Sequence, residues 1–147
     1  MTTERLESQL RNASRTIAAL FFGVGTLTVL PAAATDPLTG RPAFALGDQQ
    51  AERAAECSEL RDMTAGLIEP DYRIDLAVRG KLAAVETDGA LWYLIMCDAP
   101  DIQVMCITYQ DNGMKPGDTV LFGGGYMRLN EDQIQLDPCL AGTPEAG

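Results

Sequence analysis

Beyond Pro70 the chain changes character. Short runs of β-branched, aromatic and other apolar residues follow one another, each stopped by Gly, Pro, Asp or Asn, and no apolar period of helical length survives. Runs of this kind are strands, because alternation sends one set of side chains to a core and the other to solvent. Five are expected. The first spans about Tyr72 to Glu86, with Ile74, Leu76 and Val78 alternating against Asp75, Ala77 and Arg79. Gly80 interrupts that period, and a glycine inside a strand pattern marks a bulge or bend. Asp88-Gly89 supplies a hairpin turn into the second strand, Leu91 to Cys97, and Asp98 to Asp101 turns the chain into the third, Ile102 to Tyr109. The stretch Asp111 to Asp118 (DNGMKPGD) holds too many turn residues for a helix and reads as a loop. A fourth strand runs from Thr119 to Leu129, broken at Gly123 to Gly125, and a short fifth covers Gln133 to Leu136.

The part before Pro70 is organised differently. Ile17 to Val29 carries no charge, follows Arg11 and Arg15, and precedes Pro31 and the run Ala32 to Ala34. A positive flank, a short apolar core and small residues in an A-x-A arrangement form the signal-peptide pattern. Residues 1–34 are therefore expected to be a leader cleaved after Ala34, with 113 residues following. An uncleaved anchor is the alternative, but it needs about 20 apolar residues, and Gly23, Gly25, Thr26 and Thr28 weaken this shorter run. Residues 35–47 mix two prolines and two glycines without an apolar period and read as a linker. Residues 48–66 read as the one helix, N-capped by Asp48 and stopped at Gly66. Ala54, Cys57, Leu60 and Met63 would form its buried face.

Charge narrows the partners. The chain holds 21 acidic and 11 basic residues. Setting aside Glu4, Glu7, Arg5, Arg11 and Arg15 leaves 19 acids against 8 bases, a net charge of −11. Such a surface repels phosphate backbones and anionic headgroups and favours basic proteins or peptides. Nucleic acid is not an expected partner, nor is stable membrane insertion once the leader is removed. The plainer reading is that the acid excess only keeps the protein soluble.

A long first strand bent at a glycine, four more strands at short spacing, and a Lys-Pro-Gly-Asp turn before the fourth resemble the OB-fold, a five-stranded Greek-key barrel. The residues that carry the resemblance are VRGKLAAVE at 78–86, MKPGDTVLFGGG at 114–125 and QIQLDP at 133–138. It covers about residues 70–140 of a barrel domain expected over 70–141 and, with the leader and helix ahead of it, is similar to small periplasmic bacterial OB-fold proteins. The expected fold is thus mainly β, an OB-like barrel preceded by one α-helix. The resemblance implies binding of a ligand or partner on the barrel face. Two features depart from it: no helix pattern separates strands three and four, and four cysteines are present. An OB face that binds single strands pairs aromatic with basic side chains. Trp92, Tyr93, Tyr109 and Tyr126 are here expected in the core, and Arg79, Lys81, Lys115 and Arg128 are few.

Cys57, Cys97, Cys106 and Cys139 are even in number, and disulfides persist in the compartments an exported chain enters. Four cysteines allow three pairings, which the sequence does not decide. Cys97 and Cys106 lie too far apart along a hairpin, since four residues of strand span roughly 13 Å against a Cα reach of about 7 Å. The OB order places strand five beside strand three, which implies Cys106 with Cys139 and leaves Cys57 for Cys97. Spacings of 40, 9 and 33 residues show neither C-x-x-C nor the close pairs of a zinc site.

The chain has no histidine, which removes Ser-His and Cys-His nucleophile activation and most catalytic zinc sites. Ser58 is the one serine after Ala34 and has no recognisable base. The pairs Asp98 with Asp101, and Asp111 with Asp118, are turn formers rather than a catalytic dyad, and no D-x-D-x-D-G calcium loop is present. No catalytic, cofactor-binding or metal-ligating residue is assigned, and no cofactor is expected. The expectation is an exported, periplasmic or secreted, non-enzymatic binding or scaffold domain with two disulfides. A thiol-disulfide or metal-handling envelope protein is one alternative. A structural subunit of an envelope complex is another, with Met96, Met105, Met114 and Met127 as candidates for its contact patch, although core and loop positions suit them better.

Overall fold

The structure is a computed structural model that describes residues 36–47 and 49–144. The expected leader (1–34), residue 35 of the expected linker and the Asp48 N-cap lie outside them. Among the described residues no helix is long and apolar enough to cross a membrane.

The barrel is built on one long strand. Strand β3 (Ile74–Thr87) follows two short strands, β1 (Phe44–Leu46) and β2 (Ala55–Glu56), and one helix, α1 (Leu60–Thr64). Strands β4 (Trp92–Met96), β5 (Gln103–Thr108), β6 (Thr119–Asn130) and β7 (Gln133–Gly142) complete the chain. The first half of β3 pairs with β6, from Asp75 opposite Gly125 to Lys81 opposite Thr119, and its second half pairs with β4, from Leu82 opposite Met96 to Thr87 opposite Trp92. One strand thus serves two neighbours, and the cycle β3-β4-β5-β7-β6 closes back on β3. The β5–β7 contact is parallel while the other pairings of the cycle are antiparallel. That order and that single parallel joint define the OB barrel, so the fold is mainly β and OB-like.

Alternation along the strands fills the interior. Leu76 and Val78, Leu94 and Met96, Val104 and Cys106, Val120 and Phe122, and Ile134 and Leu136 are all fully buried. Met114 closes the loop end of this core, with its residue 6% exposed. The loop itself turns through Asn112 and Gly113 at positive φ, and no helix separates β5 from β6 among the described residues.

Several expectations change. The linker is part of the barrel wall: Ala43, Phe44 and Ala45 are buried, and Phe44 pairs opposite Leu76. Arg41 ties this segment down by donating to the carbonyls of Met63 and Ala65. The physical reason is β3, whose first half leaves open the edge not taken by β6, and an Ala-Phe-Ala run after Pro42 both pairs with that edge and fills the core.

The helix over 48–66 shrinks to α1, preceded by a single 3₁₀ turn at Cys57–Glu59. Ala55 and Glu56 instead run parallel to β3 at Val78 and Arg79, so the fully buried alanine is Ala55, not Ala54. Helix propensity is a weak preference that tertiary pairing overrides. The turn starts at Glu56, where the Glu59 carboxylate accepts the Glu56 N–H at 2.9 Å and also holds Arg53 through two hydrogen bonds.

The register shift in β3 falls between Leu82 and Ala84 rather than at Gly80. Strand β6 continues through Gly123 to Gly125 with a register shift against β7 between Gly124 and Tyr126, and β7 extends to Gly142. The glycines permit this, because a β-carbon at Gly124 would strike the Pro138 carbonyl oxygen and come within 2.8 Å of the Cys139 Cα.

Candidate binding surfaces

The cysteines lie within the scaffold. The structure joins Cys57 to Cys97 and Cys106 to Cys139, with Cα separations of 5.5 and 5.4 Å, inside the usual disulfide range. Parallel pairing of β5 with β7 sets Cys106 opposite Leu136, and β7 then carries Cys139 to it. Cys97, Cys106 and Cys139 are each buried.

The same alternation that buries one set of residues turns another outward. Ile95 lies between buried Leu94 and Met96, and Met105 lies between buried Val104 and Cys106. The register then lines up a row across five strands: Ala84 opposite Ile95, Ile95 opposite Met105, Met105 opposite Gln135, and Gln135 opposite Met127. A second row begins with Glu86 opposite Tyr93 and Tyr93 opposite Ile107. Tyr109 extends the face at 80% exposure, and Met127 is 48% exposed. None of these positions is basic, and Glu86 is the charged residue among them.

Asp88 sits at the edge of this face in a tight turn. Its carboxylate accepts the Leu91 and Ala90 backbone N–H groups, both at 2.8 Å, and the Tyr93 hydroxyl at 2.8 Å. These bonds, led by the one from Leu91, hold its pKa down at about 2, and the same contact raises that of Tyr93. The carboxylate therefore stays ionised while orienting the tyrosine ring.

A groove lies on another side of the barrel, between the outer face of β3, β6 and β7 and the segment Gln49–Ala54. Its volume is about 630 Å³, within the range of small-molecule sites. Ala77 and Gly123, directly opposite one another, form its floor, and Leu121 and Leu140 stand beside it. The two charged residues that line it are each paired: Arg53 with Glu59, and Asp75 with Arg73 at 2.6 Å.

No cluster of three or more Cys, Asp or Glu suited to a metal occurs among the described residues. No protein-family model matches the chain, and no curated protein matches it in sequence. Similar solved chains include one from the crystal structure of the S. pombe Stn1-Ten1 complex, at 13% identity and a TM-score of 0.38. That match covers 50% of this chain and 60% of the other. The OB assignment rests on the strand order and the parallel β5–β7 joint.

The sequence-based reading placed the aromatic residues and methionines largely inside. Met96 and Met114 are buried and Tyr126 packs edge-on against Phe44 at 5.1 Å, but Met105, Met127 and Tyr109 face outward. The signal was available on each strand, since an outward residue sits between two inward ones. The groove had no such signal, because its far wall comes from the segment read as linker and helix.

Proposed function

We propose that this is an exported, non-enzymatic binding domain whose outer face of β4, β5 and β7 takes a basic protein or peptide. The observation that carries the reading is the register row Ala84, Ile95, Met105, Gln135 and Met127, a mostly apolar, partly exposed row without a cation. Glu86, Asp88 and the overall charge supply attraction for a cationic partner at its rim. A single-stranded nucleic acid would need basic groups among the aromatics, and the register partners of Tyr93 are Glu86 and Ile107, neither of them basic. Export is supported by the leader pattern, and the burial of Cys106 and Cys139 supports a scaffolding role over exchange chemistry.

The test is calorimetric titration of the mature protein, produced from the full chain, with a lysine-rich amphipathic peptide, a glutamate-rich counterpart and an oligothymidylate. The basic peptide should bind, and Met105→Lys should weaken it by about tenfold, or about 1.4 kcal/mol. Tighter binding of the acidic peptide or the oligonucleotide overturns the reading, as does basic-peptide binding that Met105→Lys leaves unchanged.

A further inference from the structure

The basic side chains of the described residues fall into two sets. Arg41, Arg53, Arg61, Arg73 and Arg128 each donate to a described carbonyl, carboxylate or hydroxyl. Arg79, Lys81 and Lys115 make no side-chain hydrogen bond or ion pair to any described residue, and all three are exposed. They belong to one region. Arg79 stands directly opposite Leu121 and Lys81 opposite Thr119, on the outer face of β3 and β6. Lys115 lies on the turn that Gly117 anchors by donating its N–H to the Leu82 carbonyl at 2.8 Å.

Leu121 is also a wall of the groove, so Arg79, which makes no ion pair to a described residue, stands next to the end of the apolar groove. The channel itself is open above its floor: a β-carbon at Gly123 would meet nothing within 4 Å. The charges inside it are already paired. Two acids lie near the cationic end, and both keep their charge. Glu56 stands opposite Arg79 on β2 without a salt bridge to it, and the Asp118 carboxylate accepts the Lys115 backbone N–H at 2.8 Å.

We propose that the groove binds a single-chain anionic amphiphile, a long-chain carboxylate, with its tail over Ala77 and Gly123 and its head at Arg79 and Lys81. The charge complementarity is local, set against a molecule that is acidic elsewhere. A membrane surface fits less well, because the site is a channel beneath Gln49–Ala54 and a net charge of −11 beyond residue 34 repels an anionic bilayer. Single-stranded nucleic acid lacks a stacking partner, since the aromatic residue of the lining, Phe122, is fully buried.

Calorimetry on the mature protein, produced from the full chain, tests this with decanoate, decanol and butyrate, the first two below their aggregation limits. Decanoate should bind about tenfold more tightly than decanol, and butyrate should not bind measurably. The pair Arg79→Gln and Lys81→Gln should remove that preference and leave decanol affinity unchanged. Leu140→Glu, at a residue 82% exposed and so outside the core, should weaken both ligands. Met105→Lys, on the other face, should change neither, which separates this site from the peptide face. Equal binding of decanoate and decanol, insensitivity to the Arg79 and Lys81 changes, or binding only to anionic vesicles or oligothymidylate would each overturn the proposal.

Discussion

Gly80 lies against Cys57: a β-carbon at Gly80 would come within 2.6 Å of the Cys57 Sγ and 3.2 Å of the Met96 Sδ. The bridge from Cys57 to Cys97 therefore crosses the barrel wall where β3 has no side chain. Gly80→Ala should destabilise the oxidised protein by about 1–3 kcal/mol, the cost of overpacking a close contact. Gly123→Ala meets open space and should change stability little. Urea unfolding of the two variants measures the contrast.

Each disulfide joins elements far apart in sequence, closing separations of 40 and 33 residues. Replacing either pair with alanine should lower stability by about 3–4 kcal/mol on the chain-entropy estimate. The Cys106→Ala, Cys139→Ala variant should lose more than the estimate, because Cys106 is fully buried and its sulfur leaves a void. Chemical denaturation of both double variants under one oxidising condition gives the comparison.

Asp88 and Glu59 make acid stability a local readout. The Asp88 pKa is lowered to about 2, first by the Leu91 N–H, and that of Glu59 to about 2, first by the Arg53 guanidinium. A depressed folded-state value means that the unfolded chain binds the proton more readily. The contribution is fully present above the unfolded carboxylate range, about pH 4, and is lost as pH falls towards 2. Asp88→Asn should flatten the stability profile in that window while leaving the relative slope above pH 5 unchanged. Thermal melts across the acid range read it directly.

Thr64 links α1 to the barrel. Its hydroxyl donates to the Leu60 carbonyl and accepts from Arg128 Nη1, both at 2.7 Å, in a residue 7% exposed. Thr64→Val keeps the shape but removes an acceptor from a cation, so a loss of about 1.5–3 kcal/mol is expected. Thr64→Ser should retain most of it. Guanidinium unfolding of the two variants separates the hydroxyl from the methyl.

From Ile74 onward the strand order could be read along the chain because its signals are local. Ile74, Leu76 and Val78 alternate with solvent-facing neighbours, and Asp88-Gly89 and the turn residues from Asp111 to Asp118 punctuate them. Tertiary structure decided the rest. Phe44 is extended because β3 offers an edge to pair with, and Ala55 is in a strand for the same reason, although its local composition favours helix. The outward row from Ile95 to Met127 needed register, which no single strand specifies. The groove needed two segments more than 60 residues apart, Gln49–Ala54 and Leu121–Gly124, to meet. Periodicity and turn chemistry depend on near neighbours and are legible one residue at a time; pairing edges, disulfide partners and surfaces depend on which distant segments remain available once the barrel has closed.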